Sequence, residues 1–436
     1  MSTAFLSTRA ARRPLIGWLG LVGVLVQLGL FMYATAPGLA GTSDSRLYLH
    51  AAQTLRDTGQ LLHPDGSPYR YWPPLYPLLL AGVGSLAGIR LLHGAALLGS
   101  LLLWSWLGRQ LLPRRRVLLL PLLLALGTPG LLVSKFVWAE CVFMLLVAAY
   151  VAALLQWLRS ARAGWAALAT VVGVLLPLQR TLGLFLLAGV GVALLLSTWR
   201  HLAARSRGLL LLHLLLCGLG GMLWQAYALL AVAAPSRYHP PRGWAQLLSS
   251  AADYGFVLGR WLLPLPASVR VALPNALWTA ALFGLFAALW PRPQRWQPVE
   301  ALVASTPEAG PGNTAFRAPH GLSFGPQLVR EVLWAAAVAL VALVAGLTVF
   351  AQSAAGVHDA ERYASVLFGP VVILVLAAWP ARAPRWLGAG LLGLWLLGLA
   401  FRAGRVADDL RRVPPLATSS FAGPGPHGQW VGAMAK

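Results

Sequence analysis

Residues 41–77 read GTSDSRLYLHAAQTLRDTGQLLHPDGSPYRYWPPLYP, the first polar stretch in a chain otherwise assembled from apolar runs. Asp44, Asp57 and Asp65 stand there close to Arg46, Arg56 and Arg70. An apolar run at 15–36 precedes the stretch, and apolar sequence resumes at Leu75. A helix that crosses bilayer hydrocarbon needs about 20 apolar residues. A loop of this polarity therefore lies outside the membrane, next to a helix that lies within it.

Composition extends that reading to the whole chain. Of 436 residues, 58% are hydrophobic and only 11% are charged, against about 25% charged in soluble domains. The expectation is an all-α, polytopic integral membrane protein. A net charge of +22 would direct a soluble protein towards nucleic acid. Here the arginines fall in short clusters between apolar runs, as cytoplasmic loops do, so no nucleic-acid partner is expected. Cys141 and Cys217 both sit in apolar runs without CxxC spacing, which indicates neither a disulfide framework nor a zinc site. Arg9, Arg12 and Arg13 resemble a signal-peptide flank, but the apolar run after them is too long for an h-region. It reads as an uncleaved first span.

Counting runs of spanning length gives about eleven transmembrane helices: 15–36, 89–107, 117–133, 141–158, 165–178, 182–198, 209–233, 271–290, 331–351, 363–379 and 386–401. Residues 75–87 are too few to span and read as an interfacial or re-entrant helix delimited by Pro73, Pro74 and Pro77. The arginine clusters at 9–13, 109–116, 159/162, 200–207, 292/295 and 382/385 then share one side, which the positive-inside rule makes cytoplasmic. The N-terminus is cytoplasmic by that rule, in a cell (inner or plasma) membrane. Nine of the twelve acidic residues fall outside, all but Glu300, Glu308 and Glu331. A transmembrane domain is expected over 1–402. It carries an outer loop at 37–74, a second outer segment at 234–270 and a flexible cytoplasmic loop at 291–330, and a Gly/Pro-rich tail follows at 403–436. The two halves show no matching broken helices, the usual pointer to a secondary transporter.

Four outer tips carry the candidate groups. Asp44 follows the first span within a few residues. Glu140 opens a span, where the helix dipole favours a carboxylate by about 0.3–1 kcal/mol. Arg180, after Pro177, interrupts a long apolar stretch; such a group faces a polar cavity or a partner, or snorkels to the headgroups. The fourth tip holds Gln352, His358, Asp359, Glu361, Arg362 and Tyr363. His358, Asp359 and Glu361 offer donors for a divalent metal, but their spacing matches no standard ligand pattern, so no metal site is assigned. Tyr69, Tyr71, Trp72 and Tyr76, and the stretch from Trp244 to Trp261, read as interfacial aromatic belts, with stacking on a sugar as the alternative for the first group. Arg237, His239, Arg242 and Arg260 suit a phosphate or lipid headgroups.

These elements, in this order, resemble the C-type (GT-C) glycosyltransferases, the polytopic enzymes that include protein O-mannosyltransferases and the bacterial aminoarabinose and RgtA–D-like transferases. The resemblance rests on Asp44 in a D-S-x-x-Y context, the PPLYPLLL entry at Pro73, Ala139-Glu140 opening a span, Gln179-Arg180-Thr181 after Pro177, and Asp359-Ala360-Glu361-Arg362-Tyr363 before a late span. It covers nearly the whole chain, through short motifs.

The resemblance implies a sugar transfer from a polyprenyl-phosphate-linked donor to a hydroxyl acceptor, with inversion and with Asp44 as the catalytic base. The paired acids of some members are absent here, since no second acid stands immediately beside Asp44. Arg180 and Arg362, then Arg237 and Arg242, are the expected donor-phosphate ligands. Glu140, His358, Asp359, Glu361, Tyr363 and Tyr76 are expected in substrate-binding or supporting roles, and no cofactor is indicated. Two alternatives stand beside this reading. A transporter or flippase of lipid-linked glycans would need charges at mid-membrane, and an O-antigen-ligase-like enzyme would draw on residues 234–270.

Overall fold

In the computed structural model of the protein, residues 4–70, 72–197, 199, 204–230, 243–263, 273–290, 326–350, 357–379 and 384–416 are described. Arg237, His239, Arg242 and Gln352 lie outside them, as do most of 291–330 and the tail beyond Leu416.

The chain folds as α1 Ala4–Ala34, α2 Ser43–Thr58, α3 Leu75–Val83, α4 Leu86–Leu111, α5 Arg114–Val117, α6 Leu120–Ala125 and α7 Thr128–Lys135. Next come α8 Glu140–Ser160, α9 Ala163–Gln179, α10 Leu182–Ser197, α11 Ala204–Leu230, α12 Trp244–Leu262 and α13 Asn275–Leu289. The last four are α14 Pro326–Phe350, α15 Val357–Ala364, α16 Phe368–Ala378 and α17 Arg385–Arg412. Among the described residues, seven stretches are long and apolar enough to cross a membrane. Shorter apolar helices at Trp18–Ala34, Ala163–Gln179, Leu182–Leu196 and Asn275–Leu289 fall on the remaining expected spans. The protein is a multi-pass, all-α membrane protein. As the prolines suggest, α3 is a short helix of its own, ended by Gly84 in the left-handed conformation at φ 71°, where a side chain would be strained.

Two of the spans are broken, a feature that the apolar runs of the sequence do not display. The third is split into α5, α6 and α7, with prolines in the first turns of α6 and α7. Proline lacks the N–H that would continue the preceding helix. The tenth is split into α15, a 3-10 turn at Ser365–Leu367, and α16. These are the two most enclosed of the seven stretches, and their breaks meet. A Cβ on Gly127 would lie 2.3 Å from Phe368 Cε1, so only glycine lets the pieces approach. At the far end of α16, Arg116 Nη1 donates to the carbonyls of Leu376 and Ala377 at 2.8 and 2.9 Å, closing a helix C-terminus with a cation.

The aromatic belts also need correction. Tyr69, Tyr76 and Trp261 are buried, whereas Trp244 is exposed. Tyr76 donates to His93 Nε2 at 2.8 Å, and His93 Nδ1 donates to the Ser134 carbonyl at 3.0 Å. Tyr69, Tyr76 and Trp261 are core, and Tyr76 and His93 are tied by the hydrogen bonds that buried polar groups require. Finally, α17 continues through Arg412, so the boundary expected at 402 falls inside a helix. Beyond it, Leu416 N donates to the Leu39 carbonyl at 2.7 Å.

Candidate active site

The segment between α1 and α2 is fixed by its backbone and by one buried lysine. Ala40 pairs with Phe136 in an isolated parallel bridge: Ala40 N donates to the Lys135 carbonyl at 2.9 Å, and Val137 N donates to the Ala40 carbonyl at 3.1 Å. The Lys135 side chain donates to the Ala34 and Gly38 carbonyls at 3.1 and 2.8 Å, satisfying an orphan acceptor at the end of α1 and tying down the segment after it. Trp138 Nε1 donates to Thr42 Oγ1 at 2.8 Å, and Thr42 N donates to Ser45 Oγ at 2.9 Å, starting α2. These contacts set Asp44, in the first turn of α2, beside Glu140, the first residue of α8.

Two arginines close the constellation. Arg362, from α15, bonds Asp44 Oδ2 through Nη1 at 2.7 Å and Glu140 Oε1 through Nε. Arg180, capping the C-terminus of α9, bonds the same Glu140 Oε1 through Nη1 at 2.5 Å. Gln179 Nε2 donates to the Ala139 carbonyl at 2.9 Å, holding the ends of α8 and α9 together. The Arg362 guanidinium lies 4.1 Å from the Trp138 ring centroid and 5.4 Å from that of Tyr363, which is also 5.3 Å from Arg180. Such cation–π contacts contribute about 0.5–2 kcal/mol each. The side chains grade from closed to open: Glu140 is 3% exposed, Arg362 6%, Arg180 13% and Asp44 21%. Glu140 Oε2 and Arg362 Nη2 are buried without a hydrogen-bond partner among the described residues.

Burial works against the Arg180 charge, but the Glu140 carboxylate more than offsets it, and the pKa sits above the ordinary arginine value. Beside them, burial pushes the Tyr48 phenol well up, so it is a neutral wall of the site. Two acids and two arginines give a constellation without net charge. Buried charges are tolerated when paired and hydrogen-bonded in this way.

A second ion cluster backs the first. Glu361, one residue before Arg362, points away from Asp44 and pairs with Arg260 of α12 and Arg402 of α17, the latter at 3.1 Å. Arg402 Nη1 also donates to the Arg260 carbonyl at 2.6 Å, and Thr128 Oγ1 donates to Glu361 at 3.4 Å. Arg260 is therefore buried rather than presented to headgroups. The structure thus brings Asp44, Glu140, Arg180, Arg362 and Tyr363 together. Glu361 lies on the reverse of the same helix, and Tyr76 is enclosed behind Tyr48, whose ring it meets edge-on at 5.0 Å. His358 and Asp359 belong to α15. No group of three or more His, Cys, Asp or Glu side chains disposed to hold a metal occurs among the described residues.

Trp138, Lys135 and Arg402 were not singled out from the sequence. Trp138 and Lys135 stand in the same polar tip as Glu140, where proximity to an acid was a readable signal. Arg402 follows the last apolar run and was readable as a near-membrane charge needing a partner. Asp57 and Asp65 are exposed, and Asp65 accepts from Ser67 N and Oγ, as a turn aspartate does.

No protein-family model matches the chain, and no curated protein matches it in sequence. Solved structures do resemble it. The crystal structure of ArnT from Cupriavidus metallidurans bound to undecaprenyl phosphate aligns with a TM-score of 0.55 at 15% identity, covering 87% of this chain and 63% of that one. The apo structure of the same protein aligns with a TM-score of 0.53 at 15% identity, covering 87% and 62%. The chain thus spans less than two thirds of the ArnT length. The architecture that the motifs resemble is the one observed: the chain has the polytopic C-type fold shared by ArnT.

Proposed function

We propose that the protein is a membrane glycosyltransferase that moves a sugar from a polyprenyl-phosphate-linked donor to a hydroxyl acceptor, with inversion, on the extracytoplasmic face of the cell membrane. The observation that carries this reading is the convergence of Asp44, Glu140, Arg180 and Arg362, from four separate elements, on one partly open site. The fold shared with ArnT, which has been crystallised with undecaprenyl phosphate, supports a lipid phosphate as the donor's carrier.

In the reaction, the acceptor oxygen attacks the anomeric carbon while the bond from that carbon to the phosphate oxygen breaks. The electron pair leaves with the polyprenyl phosphate. Asp44, the most exposed of the four, takes the acceptor's proton, general-base help worth about 10²–10⁴-fold. The leaving phosphate needs donors rather than a proton, and the guanidinium groups of Arg180 and Arg362 supply charge-assisted hydrogen bonds. Glu140 holds both arginines, and Tyr363 and Trp138 brace them. Arg237 and Arg242 are further phosphate ligands in this reading, and His358 and Asp359 supporting residues.

A transporter finds less support. Glu361, which pairs with Arg260 and Arg402, is adjacent to Arg362 in α15, so the second ion cluster backs the first rather than forming a site of its own. The two helix breaks meet at a close contact between Gly127 and Phe368. The test is transfer from radiolabelled polyprenyl-phosphate sugars in membranes. Asp44→Asn should abolish transfer, and Arg180→Ala and Arg362→Ala should weaken polyprenyl phosphate binding. Full transfer by Asp44→Asn would remove Asp44 as the base.

A further inference from the structure

In the resting site the proposed base and the proposed phosphate ligand are already bonded to each other. Arg362 gives Nη1 to Asp44 Oδ2 at 2.7 Å, and while that pair stands, taking a proton would cost Asp44 its ion pair. The guanidinium itself is anchored elsewhere. Its Nε is held by Glu140, its face is covered by Trp138 at 4.1 Å, and its Nη2 is buried and free of hydrogen-bond partners among the described residues. An anion that reaches Nη2 meets the edge of the guanidinium shared with Nη1, since both nitrogens sit on one carbon and present parallel N–H bonds. Asp44 is the least buried of the four charged side chains and has the shortest tether.

Resting on the glycosyltransferase reading above, we infer that the anionic headgroup of the lipid donor and the Asp44 carboxylate compete for one edge of the Arg362 guanidinium, so that donor binding itself releases Asp44 to act as the base. Two properties follow. Asp44 is withheld from hydroxyl groups until a donor phosphate is in place, which enforces donor-first binding. The arginine that takes the phosphate and the base that activates the acceptor also change state in a single exchange of partners.

The competition makes a prediction opposite to that of a purely supportive Asp44. Undecaprenyl phosphate is titrated into the full-length protein in nanodiscs of zwitterionic lipid, with undecaprenol as the uncharged probe. Asp44→Asn removes the competitor and should bind undecaprenyl phosphate about fivefold more tightly, the equivalent of ~1 kcal/mol for a partly exposed ion pair, while undecaprenol binding stays unchanged. In an Arg362→Gln background the same Asp44→Asn substitution should have no effect, because the contested guanidinium is gone; such a cycle isolates the pairwise term.

Unchanged or weaker phosphate binding by Asp44→Asn would overturn the competition. Tightening that persisted undiminished in the Arg362→Gln background would also overturn it, because it would show simple charge repulsion between Asp44 and the ligand. A wild-type protein that bound undecaprenyl phosphate no better than undecaprenol would instead overturn the donor assignment on which the inference rests.

Discussion

Replacing Glu140 by glutamine tests the constellation at its centre. The amide keeps the shape of the acid and removes only its charge, so packing around α8 is preserved. Both arginines lose their common partner at Oε1. Arg362 retains Asp44, whereas Arg180 retains no carboxylate among the described residues, only the Tyr363 face at 5.3 Å. Orphaning one member of a buried pair costs about 3–5 kcal/mol. The 13% exposure of Arg180 and its aromatic neighbour hold the expected loss to about 3 kcal/mol. Denaturant unfolding of the purified protein in detergent, followed by tryptophan fluorescence, reads this as a lower midpoint at unchanged slope. Undecaprenyl phosphate should stabilise the variant more than the wild type, because its phosphate returns the missing negative charge, and undecaprenol should not. The Arg180 pKa is raised, so its contribution is complete below the ordinary arginine value and disappears only as pH rises through the raised one. The difference attributable to Arg180 should accordingly stay flat between about pH 6 and 9. Unfolding within about 0.5 kcal/mol of wild type, the scatter of neutral surface changes, would refute the claim that Glu140 holds the arginines. Equal stabilisation of both proteins by the phosphate would refute the claim that they form an anion site.

Three further outcomes follow from contacts around the site. Gly127→Ala places a methyl 2.3 Å from a ring carbon of buried Phe368, and overpacking of this kind should lower stability by about 1–3 kcal/mol, with Phe368→Leu restoring part of the loss in the same unfolding assay. Lys135→Met leaves the Ala34 and Gly38 carbonyls without their donor, at about 1–3 kcal/mol for each buried group left unsatisfied; hydrogen exchange over residues 38–46 should accelerate, and transfer should fall with polyprenyl phosphate binding retained. Truncation after Arg412 removes the Leu416–Leu39 hydrogen bond and should accelerate exchange over the same residues, whereas truncation after Leu416 should not.

The membrane class, the spans and the short α3 were legible because burial in hydrocarbon leaves a one-dimensional record: a span is a run of apolar residues whatever its neighbours are. The breaks in the third and tenth spans were not, because Pro121, Pro129 and Gly127 are each compatible with a continuous transmembrane helix. Only the meeting of Gly127 with Phe368, far apart in sequence, gives the break its place. Tyr76 illustrates the same limit. Its aromatic neighbours suit an interface, and its enclosure depends on His93, on a different helix. At the site, residue types and tips were readable, but partner choice was not. Glu361 and Arg362 are adjacent and of opposite charge, and the sequence offers no reason why one turns to Asp44 and the other to Arg260 and Arg402.

That divergence at adjacent positions decides which partner moves when an anion arrives. Helix α15 is gripped on both sides: Glu361 is held by Arg260 and Arg402, and Arg362 by Glu140. A shift of Arg362 towards a ligand would have to drag Glu361 out of two ion pairs, each of which would leave a buried charge exposed to the full cost of desolvation. Among the described residues, Asp44 has no such second bond. Its carboxylate is one-fifth exposed and its only ion pair among the described residues is the one to Arg362, while the segment that carries it is fixed through backbone and neighbouring side chains at Ala40, Thr42 and Ser45. The movement that costs least is therefore a rotamer change of Asp44 on a stationary α2, towards the open side of the site where an acceptor hydroxyl would arrive. A clamped arginine and a freely turning aspartate make the exchange of partners a local event, and they require no rearrangement of the helices that hold the site.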